Sequence, residues 1–80
     1  MDIRERVKNF ITTNFYVPEA SSLSDEESLL DKGIVDSTGI LEVISFVESE
    51  FGIVVGENEI VAENLDSIRR IAAFVARKRG

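Results

Sequence analysis

Apolar residues near the start of the chain recur at helical spacing. Ile3, Val7, Phe10 and Ile11 share one side, and Arg4, Glu5, Lys8 and Asn9 occupy the other. The pattern predicts a first helix from about Asp2 to Phe15, N-capped by Asp2. It should stop before Pro18, because the residue preceding a proline avoids the α region. From Val17 to Asp36 the periodicity gives way to VPEASSLSDEESLLDKGIVD, rich in turn formers. A structureless connection of that length is uncommon in a compact domain. Leu23, Leu29, Leu30, Ile34 and Val35 are therefore expected to pin it to the core, with a short helical turn around Asp25 to Leu30.

Periodicity resumes at Ser37 and predicts a second helix running to about Phe51. At about 100° per residue, Ile40, Val43, Ile44, Val47 and Phe51 fall on one core-facing arc. Glu42, Ser45 and Ser49 point away from it, Leu41 and Glu48 lie near the azimuth of Ser37, and Phe46 fits neither group and calls for cover by a loop. Gly52 follows as a residue able to close the helix in the left-handed conformation. IVVGENEIVAENL reads as an apolar linker with a short third helix near Glu57 to Ala62, because a strand at Ile53 to Val55 would have no partner. In the last segment Ile68, Ile71, Ala72 and Val75 share a face, with Asn64 or Asp66 as cap and Arg77, Lys78 and Arg79 complementing the helix dipole. Three longer helices and a short third one predict an all-α fold. The arrangement is a small four-helix bundle with a long loop between helices one and two, in one domain over residues 1–80.

Composition narrows the function classes. The chain of 80 residues carries 15 acidic and 9 basic side chains, a formal charge of −6, which opposes binding to nucleic acid or anionic lipid and favours partners with basic patches. It has no cysteine and no histidine, so it lacks a thiolate nucleophile, the commonest general base and the commonest metal ligand. No catalytic residues and no metal site are expected, and the protein is read as a non-enzyme. The loop SDEESLLDKGIVD lacks the ligand pattern of an EF-hand. MDIRERVKNF lacks the apolar segment of a signal peptide, and no apolar run approaches the roughly 20 residues of a membrane span. These features suit a cytoplasmic protein, and the high charge suits a monomer.

The remaining chemistry lies at Asp36-Ser37. Either residue suits a helix start, where a side-chain oxygen accepts from free backbone N–H groups. A serine there also stands beside positive partial charge, which favours an attached phosphate, although the chain offers no base to activate it. Asp36 suits contact with a divalent cation held by an incoming enzyme.

DKGIVDSTGILEVISFVESEFGI, with a glycine, an Asp-Ser pair and then an amphipathic helix, resembles the modification site of the acyl carrier protein family. The likeness extends over nearly the whole chain, since the first helix, the long loop, FGI, the short third segment and the LDSI helix follow in the family's order. The resemblance implies that a phosphopantetheinyl transferase attaches the 4′-phosphopantetheine arm of coenzyme A to Ser37, beside the motif acid Asp36. The arm would carry acyl or aminoacyl thioesters between a loading ligase and downstream synthases or transferases, in fatty-acid or related biosynthesis. It further implies that Leu41, Glu42 and Glu48 contact basic partner enzymes.

Thr38 and Gly39 replace the leucine and acidic residue common after the serine in fatty-acid carriers, and Ser45 stands where methionine is common. This implies a specialised carrier, for an amino acid or a secondary-pathway acyl group, with an aminoacyl or peptidyl carrier of a secondary-metabolite pathway as an alternative. Gly39 is also expected to loosen the first turn of its helix, at about 1 kcal/mol against alanine. Ile44, Val47, Ile60, Ile68 and Ala72 are positions for an acyl cleft or simply a filled core. A non-carrier acidic interaction module is the alternative from another class.

Overall fold

The structure is a computed structural model and describes residues 2–17, 19 and 23–80. Its helices are α1 (Ile3–Asn14), α2 (Gly39–Phe51), the short α3 (Ala62–Leu65) and α4 (Ile68–Arg79), with a 3₁₀ turn at Glu57–Glu59 ahead of α3. Among the described residues there is no strand, in agreement with the all-α four-helix expectation.

α1 starts where the Glu5 N–H donates to the Asp2 carboxylate at 2.8 Å, as the sequence predicts. It ends at Asn14, with Phe15 already extended at φ −124° and ψ 154°; Pro18, the predicted barrier, lies outside the described residues. Val7 and Ile11 are buried, chiefly against α4. On α2 the buried stripe is Val43, Val47 and Phe51, with Ile40 and Ile44 half-buried at its edges. Gly52, at φ 67° and ψ 36°, closes the helix by donating its N–H to the Glu48 carbonyl.

Phe46 is covered by α1 and not by a loop. Its ring stacks on Phe10 with centroids 4.1 Å apart and planes 10° from parallel. Phe10 meets Phe15 edge-on at 6.0 Å, and Phe46 meets Phe51 edge-on at 5.7 Å. This aromatic row joins the two helices and reaches the core at Phe51, with two of its three contacts in the edge-to-face geometry that aromatic quadrupoles favour.

The connection into α2 is built differently from the expected helical turn. Residues 24–33 form successive hydrogen-bonded turns, with Glu27 N–H donating to the Ser24 carbonyl, Lys32 N–H to Ser28 and Gly33 N–H to Leu30. Leu23, Leu29 and Val35 are buried and Ile34 is half-buried, as predicted, but Leu30 is 45% exposed. Both Ile34 and Val35 donate to the Leu29 carbonyl, which folds the segment back on Leu29 and turns Leu30 outward.

Two further boundaries depart from the sequence reading. The expected helix over Glu57 to Ala62 is split, because Ile60 (ψ 74°) and Val61 (φ −134°, ψ 156°) leave the helical region before α3 begins. Two adjacent β-branched residues lose side-chain freedom in a helix and favour extended backbone. α4 is capped by Ser67, whose hydroxyl accepts from the Arg70 N–H at 3.0 Å, and not by Asn64 or Asp66. Asp66 closes α3 in the αR conformation, and its carboxylate is already taken by the connection preceding α2. Ile68, Ile71 and Val75 are buried as predicted, Ala72 is half-buried, and Phe74 joins the core unannounced by the periodicity.

Candidate functional site

The Asp-Ser pair divides its two possible tasks between its members. Asp36 caps α2: its Oδ1 accepts from the Gly39 N–H at 2.6 Å, and its carbonyl accepts from the Ile40 N–H at 2.9 Å. Helical hydrogen bonding thus begins from Asp36, although regular helix starts at Gly39 and not at Ser37. Thr38 makes no side-chain cap bond. Ser37 is exposed, and among the described residues its hydroxyl has no hydrogen-bond partner. Capping therefore accounts for Asp36 and leaves Ser37 without a structural task.

Gly39 does more than weaken the helix. It is buried, and a Cβ there would stand 2.8 Å from Phe15 Cε1 and 3.2 Å from Asp36 Oδ1. The bare backbone is the seat of the Phe15 ring, which places the end of the aromatic row directly behind the Asp36 clasp. The expected loosening of the first turn is opposed by this contact.

Beside Ser37 lies an open apolar groove of about 250 Å³. Leu30 forms one wall, Ile40 the side next to the serine, and Ile60 and Val61 the far wall, with Asp66 at one margin. Of the two readings of Ile44, Val47, Ile60, Ile68 and Ala72, the filled core holds for Val47 and Ile68, which are fully buried, and only Ile60 lines the groove. The far wall is anchored through Glu59, whose carboxylate accepts from the Gly56 N–H at 2.9 Å and pairs with Lys78 at 2.9 Å. The Gly56 N–H first, and then Lys78, hold the Glu59 carboxyl below its ordinary range.

The proposed contact residues separate into two environments. Leu41 is 61% exposed and Glu42 is exposed beside it, both bordering a shallow depression of about 500 Å³ floored by Phe10 and Phe46. Glu48 is half-buried and turned toward its own chain, where its carboxylate accepts from the Val55 N–H at 2.9 Å. Glu50 pairs with Arg6 of α1 at 3.0 Å. Sequence reasoning thus grouped Glu48 with Glu42, whereas the structure gives Glu48 a bond to the chain beyond α2.

Sequence reasoning also missed Asp66, which receives the Ser28 hydroxyl at 2.6 Å and the Leu30 N–H at 3.0 Å across more than thirty-five residues of chain. Helical periodicity has no signal for a polar contact of that range. Among the described residues no three His, Cys, Asp or Glu side chains gather to hold a metal ion, and no helix is long and apolar enough to cross a membrane.

Chemically, the start of α2 offers two exposed hydroxyls, Ser37 and Thr38, of which Ser37 lines the apolar groove. This suits covalent attachment of a phosphorylated group and does not supply catalysis of its own.

No protein-family model matches the chain. It is 33% identical over 75 residues to a D-alanyl carrier protein of Streptococcus suis (strain 05ZYH33), covering 94% of this chain and 92% of that protein. A D-alanyl carrier protein of Abiotrophia defectiva is 33% identical over 51 residues, 64% of this chain and 65% of its own length. A probable acyl carrier protein, PigG, of Serratia sp. (strain ATCC 39006) is 28% identical over 75 residues, 94% of this chain and 86% of its own. These relatives are carriers and not enzymes; with that identity over nearly the whole length, the chain belongs to the acyl carrier protein family.

Proposed function

We propose that Ser37 is the attachment point of a 4′-phosphopantetheine arm, and that the protein, as one carrier domain over residues 1–80, presents an aminoacyl or acyl thioester to partner enzymes. The observation that carries this reading is the division of labour at the helix start. Asp36 makes the capping bonds, while the exposed Ser37 hydroxyl makes none among the described residues.

In the attachment step the Ser37 oxygen forms a bond to the phosphorus bearing pantetheine, and the bond from that phosphorus to the adenosine bisphosphate part of coenzyme A breaks. The serine proton passes to a base of the transferase, because the chain has no histidine and, among the described residues, none hydrogen-bonds the Ser37 hydroxyl. The positive end of α2 favours the phosphodiester that results. The arm supplies the thiol that the cysteine-free chain lacks. Asp36 retains lone pairs beyond its bond to Gly39 and is suited to approach the transferase's magnesium ion.

Similarity to D-alanyl carriers favours a small aminoacyl cargo such as D-alanine over a fatty-acyl one. The likeness to PigG supports the second reading, an acyl carrier of a secondary pathway. Leu41 and Glu42 offer an apolar contact and a negative charge to basic patches on the loading ligase and downstream enzymes. Glu48 contributes to such a surface by releasing Val55. The setting is the cytoplasm, where coenzyme A and ATP-dependent ligases are at hand.

The test combines arm and cargo. The chain is incubated with coenzyme A, magnesium and a broad-specificity phosphopantetheinyl transferase, then with ATP, D-alanine and a D-alanine-activating ligase. Intact mass should rise first by one arm and then by one alanyl group. An unmodified chain, beside a control carrier that is labelled, sinks the carrier reading; an arm that accepts an acyl group but no amino acid overturns the cargo assignment.

A further inference from the structure

The connection between α1 and α2 is a strap with one dominant fastening. Among the described residues, four hydrogen bonds and an ion pair between Glu26 and Arg69 tie it to the corner between α3 and α4. Leu29 N–H donates to the Asp66 carbonyl at 2.8 Å, Leu30 N–H to Asp66 Oδ1 at 3.0 Å, and the Ser28 hydroxyl to Asp66 Oδ2 at 2.6 Å, while Arg69 N–H donates to the Asp25 carbonyl at 2.9 Å. All but the last converge on Asp66. Ser28 Oγ also accepts from the Asp31 N–H at 3.1 Å, so the same hydroxyl shapes the next turn of the strap.

The strap has a fixed base and an outer edge. Leu29 and Val35 are each 1% exposed and root it in the core. Leu30 faces the groove beside Ser37, and its own exposure and those of Ile60 and Val61, at 45%, 39% and 43%, leave three apolar side chains lining an open space. Gly33, at φ 70°, has no atom within 4 Å of where a Cβ would lie. Three residues later the chain reaches Asp36 and Ser37.

We propose that residues 30–34 are a movable wall of the Ser37 groove and that Asp66 is its catch. Release of the two bonds to the Asp66 carboxylate frees Leu30, while burial of Leu29 and the bond from its N–H to the Asp66 carbonyl hold the base. Gly33 is the pivot, since its positive φ and open surroundings accept backbone rotation without a steric penalty. Local opening of this kind draws on solvent-exposed hydrogen bonds and leaves the core closed. With the catch closed the groove is narrow and fits a small group; with it open, Leu30 withdraws from Ile60 and Val61 and a longer apolar chain is admitted. That consequence for cargo rests on the carrier reading, but the catch itself does not.

Amide hydrogen exchange on the unmodified full chain tests the catch without any arm. In Asp66→Ala, and in the milder Asp66→Asn and Ser28→Ala, the amides of Leu30 and residues 31–34 should exchange about tenfold faster, the scale expected for a lost hydrogen bond to a charged group. The amides of Val7, Ile11, Ile71 and Val75 should keep their wild-type rates. Unchanged exchange at 30–34, or the same acceleration throughout α1 and α4, overturns the proposal; if Asp66→Ala does not fold, Ser28→Ala decides. The methyl resonances of Ile60 and Val61 should shift in the same variants. If they stay in place while the strap exchanges faster, the strap is not a wall of the groove and the proposal fails.

Discussion

Replacing Gly39 with alanine sets two effects of similar size against each other. In an exposed helix the change stabilises by about 1 kcal/mol, through backbone entropy in the unfolded chain and helix propensity. Here the added methyl would meet Phe15 Cε1 at 2.8 Å, closer than a carbon pair tolerates, and Asp36 Oδ1 at 3.2 Å. The Phe15 ring is half-buried, and moving it away disturbs its edge-on contact with Phe10, which is stacked on Phe46. Overpacking of this kind typically costs about 1–3 kcal/mol, so Gly39→Ala should destabilise by about 1 kcal/mol net. In a Phe15→Ala background the clash is gone and the same substitution should stabilise by about 1 kcal/mol. The coupling of about 2 kcal/mol far exceeds the few tenths expected of independent sites. Urea unfolding of the four proteins, with unchanged m-values, gives the cycle. An equal effect of Gly39→Ala in both backgrounds, or stabilisation of the wild type, would refute the claim that Gly39 is a seat for Phe15.

Three further outcomes follow from the same geometry. Ser37→Ala should leave stability within about 0.5 kcal/mol of wild type, because the hydroxyl makes no bond, whereas Asp36→Ala should cost about 1 kcal/mol as a lost cap; thermal unfolding that shows equal losses would contradict the division of roles. The Glu59 carboxyl should titrate below its ordinary value of 4.5. Because this folded-state value is depressed, its stabilising contribution is full above pH 4.5 and is lost as pH falls through the folded value. NMR titration should show the Gly56 amide following the Glu59 carboxyl, and a midpoint at or above 4.5 would count against the contact. Glu42→Lys should raise the KM of arm attachment and reduce its sensitivity to salt, with Glu48→Gln having a smaller effect; steady-state kinetics at two ionic strengths check both, and identical KM values for wild type and Glu42→Lys would remove Glu42 from the docking surface.

Much of the fold was legible because it is written in local periodicity. The stripes Val7-Ile11, Val43-Val47-Phe51 and Ile68-Ile71-Val75 are all buried, and Asp2 and Gly52 cap as their chemistry predicts. What was not legible depends on contacts between distant residues. Leu30 was assigned inward because it is apolar, but the bonds received by the Leu29 carbonyl and by Asp66 turn it toward the groove. Phe46 has no place on a single helical wheel because its partner, Phe10, belongs to another helix. Gly39 read as a weakness for the same reason, since its value lies in the ring that packs on it. At the site, the Asp-Ser pair was legible as a pair, but the sequence left open which member caps the helix. The bond from the Val55 N–H to the Glu48 carboxylate was not legible either, because a helical wheel carries no information on the chain beyond Gly52.

The account's central claim is that Ser37, and no other hydroxyl, receives the arm. After labelling the full chain with coenzyme A, magnesium and a broad-specificity transferase, proteolysis and fragmentation mass spectrometry locate the added group. The account predicts one arm per chain, confined to the peptide that contains Ser37, and none on Ser37→Ala. An arm found on Thr38, Ser28, Ser45 or any other residue, or on Ser37→Ala at the wild-type level, would contradict it.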